Sequence, residues 1–342
     1  MRLAGLSATG YIQFGALAGV LAGGAVASLI FLPNFLWNVQ HHWPFLELMR
    51  NIRASGRDVI LPPGAFLWQQ VLLMTPLSLP FWLGGLGFYF FARDAKAYRA
   101  LGWAFAITIA FFFVAHGKNY YSAPVYPIVL AAGGVLAERL LATSSFDARP
   151  RLKLTLQSAA FLWLIVAIAP LLPVTLPLLP VETYLRYQEH LPFEVPRSEH
   201  GHMGTALPQH YADEFGWPEM VAQVARVYAS LPEGDRAKTA ILADNYGEAG
   251  AIDFFGSRYG LPKAICPHQN YFLWGPRNYT GEVIILVGSA HIEDAKPFFQ
   301  SVEKVAQVNN PYAISHENRP ILLAHGLKTS LQELWPKLKK WD

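Results

Sequence analysis

Five long apolar runs fill the first half of the chain, at roughly 14–37, 66–92, 98–115, 120–140 and 155–181. Each approaches the ~20 residues that a helix needs to cross a bilayer. Prolines punctuate them in a telling way. Pro76 and Pro80 interrupt the second run. Pro124 and Pro127 fall in the first turns of the fourth, where a missing N–H costs nothing. Pro170, Pro173 and Pro177 crowd the end of the fifth and predict a kinked or extended exit from the membrane.

The pattern changes near Val181. Residues 182–218 are rich in Pro, His, Gly and Glu, have little periodicity, and read as a linker or irregular cap. Beyond them, helical spacing over Glu219–Ser230 leads to a short apolar strand, Thr239–Ala243. A helix is predicted over Tyr246–Tyr259, a buried strand over Val283–Val287, a helix over Ile292–Phe299, a strand over Ile321–Ala324 and a closing helix over Leu331–Leu338. Alternating strands and helices predict a small, mostly parallel α/β sheet. The fold class expected is therefore a membrane α-helical region of about five transmembrane helices (1–181), a linker (182–218) and a small soluble α/β domain (219–342).

Composition sharpens that division. Only 15% of the residues are charged and 53% are hydrophobic, against roughly 25% charged in soluble domains. Residues 1–180 hold 12 Lys/Arg and 5 Asp/Glu, a net of +7; residues 181–342 hold 15 and 19, a net of −4. The basic residues form no stripe, so nucleic acid is not an expected partner. The single cysteine, Cys266, excludes an intrachain disulfide and reads as a small buried hydrophobe. The first apolar run is too long for a signal-peptide core and shows no cleavage site, so it is expected to stay as a membrane helix. With the N-terminus in the cytoplasm, the inside segments carry eight Lys/Arg: Arg2, Arg93, Lys96, Arg99, Arg139, Arg149, Arg151 and Lys153. The outside segments then carry four: Arg50, Arg53, Arg57 and Lys118. The positive-inside rule thus predicts a cytoplasmic N-terminus and a C-terminal domain on the opposite side.

The four outside cations are the candidate chemistry. Lys118 lies in His116-Gly-Lys-Asn-Tyr-Tyr121, a polar hexapeptide between two uncharged apolar runs. A charge so placed either snorkels to the headgroups or serves a site. Arg50, Arg53 and Arg57 are spaced to share one face of an amphipathic interfacial helix that offers guanidinium groups to phosphate or headgroups. Asp244-Asn245 ends a strand and opens a helix, where open α/β sheets bind ligands, although Asn is also an ordinary cap. His268, Asn270 and Trp274 form a polar–aromatic cluster suited to a sugar ring or to local packing. His41-His42 and His200-Gly-His202 lack the companions of a metal site, and the sequence implies no metal.

Taken in order, Phe31-Leu-Pro-Asn-Phe-Leu-Trp-Asn, His41-His-Trp-Pro, His116-Gly-Lys-Asn-Tyr-Tyr-Ser-Ala-Pro-Val-Tyr-Pro, Asn245-Tyr-Gly-Glu-Ala-Gly-Ala and Trp274-Gly-Pro-Arg resemble the bacterial family 39 glycosyltransferases. These are related to protein O-mannosyltransferases and to the aminoarabinose transferase of lipid A. The resemblance implies a GT-C fold in the bacterial inner membrane with a periplasmic α/β domain. It also implies transfer of a sugar from a polyprenyl-phosphate donor to a lipid or surface-glycan acceptor. Carried onto this sequence, it makes Lys118, with His116, Tyr120 and Tyr121 beside it, the donor-phosphate site, and Arg50, Arg53 and Arg57 second choices. Asn245, His268, Asn270 and Trp274 become possible glycan contacts; a divalent metal is left open as a cofactor.

The family's acidic first outside loop has no counterpart here. Glu47 and Asp58, the two outside acids of the membrane half, do not match it. The resemblance therefore implies only the C-terminal portion of such an enzyme, incomplete for catalysis alone. The alternative is a non-enzymatic, membrane-anchored binding or accessory protein. A transporter is the weaker third reading, because no polar residue is expected in mid-helix to mark a path.

Overall fold

A computed structural model describes residues 8–142, 149–195, 206–288, 291–314 and 318–342, with side chains from residue 18 onward. The His200/His202 pair lies outside the described residues. The chain begins with α1 (Ala8–Gln40), α2 (Pro44–Ser55), α3 (Pro63–Leu73), α4 (Leu79–Phe91), α5 (Arg99–Val114), α6 (Tyr126–Leu141) and α7 (Pro150–Ile168). Then follow α8 (Val181–Glu189), α9 (Trp217–Ser230), β1 (Thr239–Ala243), α10 (Tyr246–Phe255), β2 (Val283–Val287), β3 (Phe299–Gln307), β4 (Pro320–Leu327) and α11 (Leu331–Leu338). Among the described residues four helical stretches are long and apolar enough to cross a membrane. A fifth exists if α3 and α4 count as one broken span.

That break corrects the expectation of one helix over 66–92. α3 and α4 meet at 83°. The helix cannot continue past Met74 because Pro76 and Pro80 remove donors and crowd the preceding turns. Thr75 adopts φ 66°, a conformation that β-branched residues rarely take. The polar groups freed at the break are satisfied locally. The Ser78 hydroxyl donates to the Thr75 and Met74 carbonyls, the Ser78 N–H donates to Thr75 Oγ1 (3.3 Å), and Trp163 Nε1 of α7 donates to the Leu77 carbonyl (2.8 Å). Inside so apolar a stretch the chain supplies these partners from its own groups.

α4 packs on α6 through two glycines. A Cβ on Gly85 would collide with the Val129 carbonyl, and one on Gly133 with the Phe81 carbonyl. Close backbone approach through small residues is how helices pack where lipid removes the hydrophobic drive. Around this contact Trp82 and Phe105 are buried with their rings edge-on to Tyr126.

The fifth apolar run ends earlier than expected. α7 stops at Ile168; a 3-10 turn at Ala169–Leu171 and a last helical turn at Leu172–Thr175 complete a candidate span that ends at Thr175. Pro177 cannot donate to the Pro173 carbonyl, and Tyr211 OH donates to it instead (2.6 Å). His210 Nε2 donates to the Val174 carbonyl (2.7 Å), and Tyr187 OH to that of Pro170. The region read as a linker is thus partly regular. It contains α8 and a turn of helix at Gln209–Ala212, fastened to the end of α7 by three side-chain donors.

The sheet is mixed rather than mostly parallel. Its order is β1-β2-β4-β3; β1 and β2 are parallel, and β4 is antiparallel to both neighbours. The expected helix over Ile292–Phe299 is a single turn, Ile292–Ala295, and Phe299 opens β3. This strand escaped notice because it lies at the sheet edge, where Glu303 and Lys304 interrupt the apolar signal. Both faces of the sheet are covered. Ile241, Ile285 and Ile321 meet Val221, Val224 and Ile252 of α9 and α10. Ala240, Ile284 and Leu322 meet Leu331 and Trp335 of α11.

Replacing Gly133 with Val should lower the unfolding temperature in detergent by the equivalent of about 1–3 kcal/mol, the usual cost of overpacking. Gly134→Ala is the control, since a Cβ there meets nothing within 4 Å. Equal stability of the two variants would contradict the α4–α6 contact.

Candidate functional site

The polar hexapeptide is built onto α3 by one buried side chain. Gln70 is 3% exposed in the middle of an apolar helix. Its Nε2 donates to the Asn119 carbonyl (3.0 Å), and its Oε1 accepts from Ser122 Oγ (2.6 Å) and Tyr126 OH (3.1 Å). Ser122 Oγ also reaches the Asn119 carbonyl (2.9 Å). A fully connected network of this kind rigidifies what it joins. Here it fixes the 3-10 segment Asn119–Val125 and the first residue of α6, which together open the candidate span Asn119–Leu141. Gln70 is the residue that sequence reading missed. It corrects the expectation of no mid-helix polar group, and the signal was present as Gln69-Gln70 inside the second apolar run.

Beside this network a cavity of about 910 Å³ opens at the α3–α4 break. Leu72, Leu73, Leu130, Leu164 and Ile168 make its walls apolar. Thr75, Asn119, Tyr120, Gln209, His210 and Asp213 supply its polar groups. The strained Thr75 is therefore a cavity residue, which is where strain tends to be kept. A second, more polar cavity of about 560 Å³, between Gln188 and Pro208, touches none of the expected site residues.

Lys118 is one residue from the cavity wall. Its side chain is only 14% exposed, and its Nζ lies 3.5 Å from Asp58 Oδ1. So the loop after α2 and the loop before α6 meet, and they meet as cation against anion. His116, at φ 52°, is exposed. Tyr120 and Tyr121 stack edge to face at 5.0 Å and are each about half exposed. Arg50 and Arg53 occupy the exposed face of α2, and Arg57 follows that helix, half-buried. The opposite ends of the helices pair in the same way, Asp94 with Arg139.

In the α/β region the carboxyl ends of β1 and β2 carry a dense polar cluster. Asp244 faces Lys340 (3.1 Å) and Arg319 (3.5 Å). Asn245 is committed to a capping box with Glu248, accepting from the Glu248 N–H (3.0 Å). Glu248 is 1% exposed and accepts from the Asp244 and Asn245 N–H groups. Burial, against those donors, pushes its carboxyl up to about 7. Gly288, at φ 80°, leaves room for it, since any Cβ there would strike the carboxylate. His268 is buried against the Tyr246 ring (5.0 Å) and held by Asp342, and burial lowers its pKa. Of the expected glycan contacts, then, Asn245 and His268 are structural partners of their neighbours, whereas Asn270 and Trp274 are exposed on a 3-10 turn, Trp274 against Tyr271. Cys266 is buried and free, its thiol pushed up to about 12.

The tail joins the two regions. Trp341 Nε1 donates to the Pro44 carbonyl (2.8 Å), Asn51 Nδ2 donates to the Trp341 carbonyl (2.6 Å), and Lys339 pairs with Glu47 (2.8 Å). Residue 340 meanwhile bridges to Pro267 and Gln269 in backbone hydrogen bonds. No group of three metal-ligating side chains occurs among the described residues. No protein-family model, curated protein or solved structure matches the chain.

Two outcomes follow. Gln70→Leu strands the Tyr126 hydroxyl and leaves Ser122 Oγ with the Asn119 carbonyl alone. It should cost about 1–3 kcal/mol and raise hydrogen exchange over residues 116–122; unchanged exchange would contradict the network. For Glu248 the folded state binds the proton more tightly than the unfolded chain. Its stabilisation is therefore full below the ordinary value of 4.5 and lost as pH rises through about 7. Glu248→Gln should flatten the decline of unfolding temperature across that window; parallel pH profiles would refute the assignment.

Proposed function

We propose that this chain belongs to an inner-membrane glycosyltransferase that takes a sugar from a polyprenyl-phosphate donor and passes it to a lipid or surface-glycan acceptor. The observation that carries the reading is the cavity at the α3–α4 break, apolar along its walls and lined at Asn119 and Tyr120 by the loop that bears Lys118. Broken helices with a cavity at the break are where membrane proteins hold substrates. An isoprenoid chain suits the leucine-rich walls, and a phosphate suits a sparsely hydrated lysine whose existing anion, Asp58, it would replace. Supporting the orientation, the loops sort into two ends, with Asp58 and Lys118 at one and Asp94 and Arg139 at the other. The tail of the α/β region contacts α2 at the Lys118 end, which the charge argument assigns to the periplasm.

One observation favours a membrane-anchored binding or accessory protein instead. Both outside acids are held by lysines, Glu47 by Lys339 and Asp58 by Lys118, and neither stands ready as a base. The two readings part on donor turnover. The reconstituted chain should bind a polyprenyl phosphate in native mass spectrometry, and Lys118→Ala should weaken that binding by roughly ten- to a hundredfold, the worth of a charge-assisted contact. Binding equal to wild type would remove Lys118 from the site. Release of sugar from a polyprenyl-phosphate sugar would favour the transferase over the binding protein.

A further inference from the structure

The helix α2 has a role that the donor site does not use. It starts three residues after α1, whose stretch Ala18–Gln40 is long and apolar enough to span a membrane. It ends seven residues before α3, which enters the broken span. Chain connectivity therefore holds it at the membrane surface at both ends. His42 and Trp43 at φ 58° break the helix, so α2 starts as a new element instead of prolonging α1. Its two faces are unlike. One face is covered by the protein: Pro44 and Ile52 are buried, and Pro44, Glu47 and Asn51 are tied to residues 339–341. The other carries Phe45 (61% exposed), Leu46 (56%), Arg50 and Arg53, with Trp43 (40%) just before it. Glu47, three residues before Arg50, is taken up by Lys339, and Asp58 by Lys118. Two guanidinium groups and three large apolar side chains thus share an exposed face beside the bilayer.

We propose that the Phe45/Leu46/Arg50/Arg53 face of α2 is a docking surface for anionic phospholipid headgroups. The aromatic and aliphatic side chains enter the headgroup–acyl boundary, and the arginines pair with lipid phosphate and anionic headgroups. Because residues 339–341 fasten the opposite face of α2 to the α/β region, this contact also sets how that region sits on the membrane. The commitment to bulk anionic lipid rests on charge complementarity and on the helix being confined to the interface. Neither depends on the transferase reading.

The test uses the full chain in nanodiscs, with an environment-sensitive fluorophore on Phe45→Cys. Cys266 is buried, so the new thiol alone should be labelled. In discs of phosphatidylcholine mixed with phosphatidylglycerol the emission should shift to the blue relative to phosphatidylcholine alone, and high salt should reverse the shift. The Arg50→Ala/Arg53→Ala pair should need a higher share of anionic lipid, by roughly fivefold per arginine. Identical emission in the two lipids, or a response untouched by the double substitution, would overturn the proposal. It would fall equally if a trace of polyprenyl phosphate in pure phosphatidylcholine gave the full response, because the arginines would then serve the donor. Should Phe45→Cys fail to fold, hydrogen exchange over 44–55 in the unaltered chain decides: anionic lipid must raise protection there, and equal protection in both lipids contradicts the proposal.

Discussion

A backbone that leaves the helix within a long apolar run must find its own hydrogen-bond partners, and the rest of this structure is arranged around one such place. Between Met74 and Ser78 the second apolar run turns by 83°. Ser78, Thr75 and Trp163 satisfy the groups set free there. One turn earlier, Gln70 reaches across to Asn119, Ser122 and Tyr126, so the same broken element carries the loop that bears Lys118. An unsatisfied amide in this setting costs several kcal/mol. Break, network and loop therefore stand or fall together, and the cavity is the space they enclose.

The charged groups follow the same economy. Glu47 and Asp58 of the helical half each have a lysine, Asp58 from within that half at Lys118 and Glu47 from the tail at Lys339. The first pair joins two loops beside the cavity. The second joins the α/β region to the surface helix α2. The Lys339–Glu47 pair is the more exposed of the two and contributes little to stability, so its importance is positional. The buried contacts beside it, Trp341 on Pro44 and Asn51 on the Trp341 carbonyl, supply the adhesion.

Much of the architecture is legible in the residues. β1, β2 and α11 fall at the positions that their apolar spacing predicts, because both faces of the sheet are buried and the runs are unbroken. The edge strand β3 is not legible, since its exposed face is charged and its apolar positions are few. Prolines 76 and 80 announced a disturbance in the second run, yet the size of the bend depends on Thr75 taking a rare conformation and on donors from distant helices. At the site, Lys118 stands out in sequence because it is the lone charge between two apolar runs. Its partner Asp58 does not, since nothing local ties residue 58 to residue 118. Asn245 and His268 show why position alone is ambiguous: the structure engages the first in a helix cap and the second in a buried ring contact, the alternatives that the sequence left open beside a glycan role.

The central claim, that the cavity at the α3–α4 break holds a polyprenyl-phosphate donor with its phosphate toward Lys118, is most directly tested by photocrosslinking. A polyprenyl phosphate bearing a photoreactive group near its head would be reacted with the chain in nanodiscs and the labelled peptides mapped. The account predicts labels concentrated on residues 69–75 and 116–121, competed away by unlabelled polyprenyl phosphate. Labels spread along the lipid-facing sides of α1 and α7, with none on those two segments, would contradict it.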